Sequence, residues 1–224
     1  DSNGSATVFA SGVALPLTYT WKQQADTIDL AVTTVFGLWG GTYTVTVIDA
    51  NGCISGASVT VNEPAAVAAA IILSSGASCN GICNGSASVM AGGGIPSYSY
   101  LWTDGQTTSA ATGLCAGTHN VFIEDNNGCQ TFETTVITEP ASLAVDDSVV
   151  DVSCSGDADG VIYLNVTGGT PFYTIGWVPN GNGPTITNLT AQCYTATITD
   201  INGCLLNDTY CVMEPTPLTY TTVT

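Results

Sequence analysis

The stretch GTHNVFIEDNNGCQTFETTVITEP, residues 117–140, determines the fold class. His119, Val121 and Ile123 stand at every second position, which is the pattern of a β-strand with one inward face. The Asn-Gly pair that follows suits the positive-φ positions of a hairpin turn, so a second strand is expected to return after it. Glu-Pro closes the unit, because proline cannot donate a hydrogen bond to a strand ladder.

This stretch occurs three times along the chain. Residues 41–64 read GTYTVTVIDANGCISGASVTVNEP, and residues 192–215 read QCYTATITDINGCLLNDTYCVMEP. The Gly-Cys and Glu-Pro pairs both recur after 76 and then 75 residues. The pattern predicts tandem units, with boundaries at 1–64 (repeat 1), 65–140 (repeat 2) and 141–215 (repeat 3), and with 216–224 as the first strand of a following repeat.

Each unit is predicted to be all-β. Six or seven short strands in about 75 residues indicate an Ig-like, Greek-key β-sandwich, with Trp21, Trp102 and Trp177 filling the three cores. Repeat 1 lacks the opening strand that the other repeats have, which suggests that the chain is a window on a longer array. Short linkers between stacked units predict a semi-rigid rod.

Composition excludes several classes of function. The net charge is −17, with Lys22 as the single basic side chain among Lys and Arg, so phosphate-rich partners such as nucleic acids and anionic membranes are excluded. The longest apolar run, residues 65–73, is too short to span a bilayer, so no direct membrane insertion is expected. Nine cysteines in a chain of this kind indicate an oxidising compartment outside the cytoplasm.

Comparison of the repeats suggests how the cysteines pair. Cysteines that appear or disappear together between repeats are expected to be bonded to each other. This reasoning predicts the bonds Cys79–Cys129, Cys83–Cys115, Cys154–Cys204 and Cys193–Cys211. It leaves Cys53 to pair with a residue upstream of Asp1. The alternative is a zinc site formed by Cys79, Cys83, Cys115 and Cys129. Two observations weigh against it: these cysteines do not have the paired C-x-x-C spacing of zinc ligands, and repeat 3 does not have the same four cysteines.

Few residues are candidates for chemistry, and no catalytic residue or cofactor is expected. His119 occupies the position of Tyr43 and Tyr194 and is predicted to be a core histidine. Asp49, Asp125 and Asp200 precede Asn-Gly, where a turn-forming role is expected. A weak calcium site is conceivable at Asp157 and Asp159, since carboxylate oxygens suit that ion.

Trp39 stands where repeat 2 has Cys115. It is predicted either to fill the volume of the missing disulfide or to contact a sugar. Repeat 1 also carries about five additional residues between Trp21 and Leu38, where a contact specific to this repeat would be made.

The ordered motifs of repeat 2 resemble those of the SprB repeat family: Cys-Asn-Gly, Gly-Gly-x-Pro-x-Tyr-x-Tyr-x-Trp, Leu-x-Ala-Gly-Thr, Asp-x-Asn-Gly-Cys and Glu-Pro. Repeat 3 is similar, and repeat 1 departs by its insertion. The resemblance implies a surface adhesin of gliding Bacteroidota, associated with the outer membrane and exported by type 9 secretion. It also implies possible O-glycosylation at Thr27 and Ser148, which lie in Asp-Ser/Thr-apolar sequences.

These features predict a non-catalytic repeat segment of a long, filamentous cell-surface adhesin, of the type used in gliding motility or attachment. Its partner would be an external surface or polysaccharide. Two alternatives stay open. The chain could be a subunit of a self-assembling extracellular fibre or sheath, contacting neighbouring copies, or a carbohydrate-binding array of a secreted enzyme.

Overall fold

The computed structural model describes residues 3–11, 14–24 and 26–221, with the side chains of residues 29 and 30 left out. All the secondary-structure elements in these ranges are β-strands, which confirms the predicted all-β class. In this part of the chain no helix is long and apolar enough to cross a membrane.

Repeat 1 forms a two-stranded sheet facing a four-stranded sheet. The first sheet pairs β1 with β4, and the second has the order β3-β2-β5-β6. The additional residues of this repeat form β3, which hydrogen-bonds to β2. The strands are β1 (Gly4–Thr7), β2 (Thr18–Gln23), β3 (Asp26–Leu30), β4 (Thr34–Leu38), β5 (Gly41–Ile48) and β6 (Ile54–Val61).

Repeats 2 and 3 each form two three-stranded antiparallel sheets. In repeat 2 the strands are β7 (Ala68–Ser75), β8 (Gly85–Gly92), β9 (Ser99–Trp102), β10 (Ala110–Leu114), β11 (Gly117–Glu124) and β12 (Gln130–Ile137). In repeat 3 they are β13 (Ala144–Val150), β14 (Gly160–Thr167), β15 (Thr174–Val178), β16 (Thr185–Leu189), β17 (Gln192–Thr199) and β18 (Leu205–Val212). The sheet orders are β10-β8-β7 and β12-β11-β9 in repeat 2, and β13-β14-β16 and β15-β17-β18 in repeat 3.

The three repeats share one strand register. Gly4, Gly85 and Gly160 open equivalent strands and pair with Leu38, Leu114 and Leu189, and each pairing is followed by the same bulge. All three positions favour glycine, because a Cβ would lie 2.6 Å from Val61 Cγ1, 2.5 Å from Ile137 Cγ2 or 2.7 Å from Val212 Cγ1. The sequence landmarks therefore mark the same places in three equivalent folds.

One tryptophan fills the core of each repeat, as predicted. Trp21, Trp102 and Trp177 are all buried, each in a separate hydrophobic cluster. Each indole N–H donates to a backbone carbonyl 6 or 11 residues further along the chain, at 2.8–3.1 Å. The apolar ring is thereby buried without leaving its polar group unpaired.

The chain divides into two compact units. The first comprises residues 1–66 with Gly93–Ile95, and the second comprises residues 67–92 and 96–224. Apart from residues 65–66 and 93–95, repeats 2 and 3 thus lie within the second unit.

The opening strand distinguishes repeat 1 from the others. β8 and β14 each have two neighbours, one of which is the opening strand β7 or β13, whereas β1 pairs with β4 alone among the described residues. Residues 216–221 form no strand here and residues 222–224 lie outside the described residues, so their role as the first strand of a following repeat stays a prediction.

Candidate functional site

Three disulfides are present in the described part of the chain. Cys83 bonds to Cys115 and Cys193 bonds to Cys211, both as the comparison of repeats predicted. The third bond joins Cys79 of repeat 2 to Cys204 of repeat 3 across 125 residues of sequence. Three bonds also place the chain in an oxidising compartment.

The predicted bonds Cys79–Cys129 and Cys154–Cys204 are wrong, and strand geometry explains why. The loop that holds Cys79 lies at the end of repeat 2 where β12 ends, since Ala77 N–H donates to Thr138 O at 2.8 Å. Cys129 precedes β12, whose eight residues span about 26 Å at the rise of an extended strand. A disulfide requires Cα atoms within about 7 Å, so these two cysteines cannot meet within one repeat.

The bond between the repeats is reinforced by one hydrogen bond. The Cα atoms of Cys79 and Cys204 are 5.7 Å apart. The side-chain amide of Asn202 donates to Ser78 O in repeat 2 at 3.1 Å and to Thr170 Oγ1 in repeat 3 at 3.0 Å. We call this contact, made by Ser78, Cys79, Asn202 and Cys204, the inter-repeat latch.

The repeat 2 side of the latch is held by the glutamate of the Glu-Pro pair. Glu139 accepts the Gly81 N–H at 2.7 Å and the Asn80 side-chain amide at 3.0 Å. Ser78 N–H donates to Asn84 Oδ1 at 2.8 Å, which closes the same loop. The sequence argument attributed Glu-Pro only to strand termination. The recurrence of glutamate, and not only of proline, was the signal for this role.

The repeat 3 side of the latch is held by the predicted aspartate turn. Asp200 Oδ1 accepts the N–H groups of Asn202 and Cys204, both at 2.9 Å. Asp49 and Asp125 make the equivalent bonds at 2.9–3.0 Å, so the turn-forming role is confirmed in all three repeats. Asp200 Oδ2 also accepts the Thr170 N–H at 2.8 Å.

These hydrogen bonds make the latch sensitive to acid. The N–H of Thr170 is the main cause that lowers the pKa of Asp200 below the ordinary value of 3.8, and the N–H groups of Cys204 and Asn202 act in the same direction. Because the folded-state pKa is lowered, the stabilisation is fully present above about pH 4 and is lost as the pH falls through the folded-state pKa.

We therefore expect Asp200→Asn to be less sensitive to acid than the wild-type chain. The amide oxygen of asparagine can still accept the N–H bonds of Asn202 and Cys204. Its NH2 group cannot accept the Thr170 N–H bond, but the side chain carries no charge to be neutralised. The thermal unfolding midpoint, measured between pH 7 and pH 2.5, should fall more steeply in the wild type than in the variant. Equal slopes would contradict the assigned role of the Asp200 carboxylate.

His119 is half-buried and structurally equivalent to two tyrosines. Its Nε2 donates to Cys115 O at 2.9 Å, and the hydroxyls of Tyr43 and Tyr194 make the corresponding bonds to Trp39 O and Thr190 O. The side chain thus spans the turn before its strand. It is half-buried, and therefore less deeply buried than the core position that the sequence predicted.

The structure contradicts the zinc hypothesis but leaves the calcium hypothesis untested. The zinc alternative is wrong, because three of its four cysteines are bonded in disulfides. Asp157 and Asp159 accept hydrogen bonds from the hydroxyl and the N–H of Ser153, at 3.2 and 2.9 Å. The described residues bring no three His, Cys, Asp or Glu side chains together in a metal-binding arrangement. Calcium at this pair stays a prediction.

Three further candidates lie on the surface. The side chain of Trp39 is 58% exposed, so it does not fill the volume left by the missing disulfide, and the sugar contact stays a prediction. Thr27 on β3 and Ser148 on β13 are both exposed. Their glycosylation also stays a prediction.

Comparison with known families supports the repeat assignment. Residues 75–107 and 147–182 match the family model of the SprB repeat. They lie in repeats 2 and 3, which confirms the resemblance there, and together they cover less than half of the chain. No curated protein matches the sequence.

Solved structures of tandem Ig domains are among the matches to this chain. The Sidekick-1 immunoglobulin domains 1–5 match at 14% identity and a TM-score of 0.34, covering 88% of this chain and 52% of that one. The eight N-terminal Ig domains of the Down syndrome cell adhesion molecule match at 13% identity and 0.37, covering 89% and 33%. This chain thus spans about half the length of the Sidekick-1 structure and about a third of the length of the other.

Proposed function

We propose that this chain is a non-catalytic, load-bearing segment of a long, filamentous cell-surface adhesin. The inter-repeat latch is the observation that supports this most directly. Tension along the chain would pass from Cys79 to Cys204 through the disulfide, so the chain between these two residues, whose sequence separation is 125, would not extend. The matches to SprB repeats are consistent with an adhesin of the gliding or attachment type, held at the outer membrane after type 9 secretion.

The surface that the adhesin grips is proposed to be an external solid or polysaccharide. A chain with a net charge of −17 repels its neighbours, which would keep filaments apart and soluble. Nucleic acids are excluded as partners by the same charge.

The proposal is tested on intact cells of the organism that encodes the chain. Antibodies raised against repeats 2 and 3 should label unpermeabilised cells, and added protease should remove the label. Fab fragments of the same antibodies should reduce attachment or gliding on a surface. Labelling that requires permeabilised cells would contradict the proposal.

A second candidate, sugar binding by repeat 1, is favoured by the exposure of Trp39. Exposed aromatic rings stack on the apolar faces of sugars, and the side chain of Trp39 is 58% exposed. On this hypothesis the chain retains a polysaccharide, and Trp39→Ala abolishes the retention. Equal retention of the variant and the wild type on an affinity gel would contradict this role.

A further inference from the structure

A row of three exposed apolar side chains crosses the outer face of one sheet of repeat 2. Leu101 on β9, Phe122 on β11 and Phe132 on β12 are paired in register, with Phe122 in the middle. They are 52%, 51% and 61% exposed, whereas Val121 and Ile123, the neighbours of Phe122 in sequence, are buried in the core. The ring centroids of Phe122 and Phe132 are 6.1 Å apart. We call Leu101, Phe122 and Phe132 the apolar row.

The fold does not require apolar residues in this row. Repeats 1 and 3 keep the same register with small or polar residues at the equivalent positions, which are Thr20, Thr46 and Gly56 in repeat 1 and Gly176, Thr197 and Asn207 in repeat 3. Exposed apolar residues that are clustered in one repeat, where the others have none, indicate a binding surface.

The size of the apolar row favours a small ligand over a protein. Neighbouring strands lie about 4.8 Å apart, so the row is about 10 Å long. A buried aromatic side chain covers roughly 150–250 Å², so three half-exposed side chains offer roughly 300 Å². A stable protein interface buries about 800 Å² on each partner. Asn120 and Thr134 separate the row from Val136, which is also exposed on this face.

Hydrogen-bonding groups flank the row on both sides. On one side Thr134 Oγ1 donates to Asn120 Oδ1 at 2.8 Å, and the Asn120 amide N–H groups have no acceptor among the described residues. On the other side Gln130 Nε2 donates to Glu124 Oε2 at 2.6 Å, which leaves Glu124 Oε1 to accept from a ligand. A sugar ring matches this arrangement, because it has an apolar C–H face and hydroxyl groups at its edge that donate and accept.

Charge restricts the ligand further. The net charge of the chain is −17, and Glu124 is the one charged side chain on the outer face of β9, β11 and β12. An anionic polysaccharide is therefore repelled, and a second copy of the chain would bring another 17 negative charges. A neutral sugar polymer has no such penalty.

We propose that the apolar row binds a neutral polysaccharide. Sugar rings stack on Phe122 and Phe132, and their hydroxyl groups accept from Asn120 and donate to Glu124. The inference rests on the proposed adhesive function, since it names the residues by which repeat 2 would hold an external surface.

The test is native gel electrophoresis of the full chain in gels that contain hydroxyethyl cellulose, mannan or dextran. Binding to a polymer retards the chain relative to a gel without it. We expect at least one of these neutral polymers to retard the chain. Alginate, which is anionic, should retard the chain less than that polymer does. No retardation by any of the three neutral polymers, or equal retardation by alginate, would overturn the proposal.

The double variant Phe122→Thr with Phe132→Asn gives the row the residues that repeat 3 has at these positions. It should therefore fold, which circular dichroism checks, and its affinity for the retarding polymer should fall about tenfold or more through the loss of two stacked rings. Asn120→Ala keeps both rings and should lower the affinity about threefold. Unchanged affinity in the double variant would overturn the proposal.

Two exposed aromatic residues outside the row provide controls. Phe172→Asn in repeat 3, where the phenylalanine is 82% exposed, should leave the affinity unchanged. Trp39→Ala should also leave it unchanged, which separates the row from the sugar contact considered for repeat 1.

Self-association is tested by sedimentation of the wild type and the double variant in about 0.5 M salt, which screens the repulsion between copies. Both should be monomers at concentrations where the polymer binds. A wild-type dimer that the double variant abolishes would overturn the proposal and assign the row to a second copy. The labelling of intact cells does not depend on these variants, so failure of sugar binding and failure of the proposed surface location are distinguishable.

Discussion

Replacing Cys79 and Cys204 together by serine is expected to lower the free energy of unfolding of repeats 2 and 3 by about 4–5 kcal/mol. The bond closes a loop of 125 residues, and in the chain-entropy model a loop of this length restricts the unfolded chain strongly. Both residues are exchanged so that neither thiol remains to pair with another cysteine. The measurement is equilibrium unfolding in urea, followed by circular dichroism.

The chain offers a matched control for this variant. Cys129 and Cys154 occupy the same turn and loop positions in their own repeats, but they are unbonded. Cys129→Ser with Cys154→Ser should therefore change stability by less than about 0.5 kcal/mol. An equal loss in both double variants, or no loss in the first, would contradict the assigned connectivity.

Trp102→Ala is expected to lower the stability of repeat 2 by about 3–5 kcal/mol. Only 2% of the Trp102 surface is exposed, so alanine leaves a large cavity between the two sheets. The Thr108 carbonyl, which accepts the indole N–H at 2.8 Å, also loses its partner. Urea unfolding of the variant and the wild type measures the difference.

Trp39→Ala is the control for the loss of an indole ring. The Trp39 side chain is 58% exposed and should contribute less than about 0.5 kcal/mol. A variant of Trp102 no less stable than the Trp39 variant would show that the tryptophan does not fill the core of repeat 2.

The strand pattern was predictable because each repeat supplied a check on the others. Alternation in residues 117–124, the Asn-Gly turn and the buried tryptophan recur at fixed spacing, and each has a local physical cause. The hairpin bond between Cys193 and Cys211 was also predictable, because these residues face each other across two strands joined by a tight turn.

The connectivity of Cys79 was not predictable from co-occurrence. In a tandem array each repeat keeps both a loop and a turn cysteine, whether the bond lies within a repeat or between neighbours, so co-occurrence does not distinguish the two cases. The length of β12 does, since it separates Cys79 from Cys129 along the long axis of repeat 2. That argument needs the position of the Cys79 loop, which is set by Ala77 and Glu139.

Single-molecule pulling on the oxidised chain tests the load-bearing latch most directly. When the Cys79–Cys204 bond is absent, the chain can extend from Cys79 to Cys83 and, beyond the Cys83–Cys115 bond, from Cys115 to Cys193. The Cys193–Cys211 bond still keeps the residues between its two cysteines from extending. Cys79→Ser with Cys204→Ser should therefore add about 75 residues, or roughly 260 Å, to the fully extended length. The Cys129→Ser, Cys154→Ser variant should extend no further than the wild type. Equal lengths for the wild type and the Cys79, Cys204 variant, or a longer Cys129, Cys154 variant, would contradict a disulfide that carries force from repeat 2 to repeat 3.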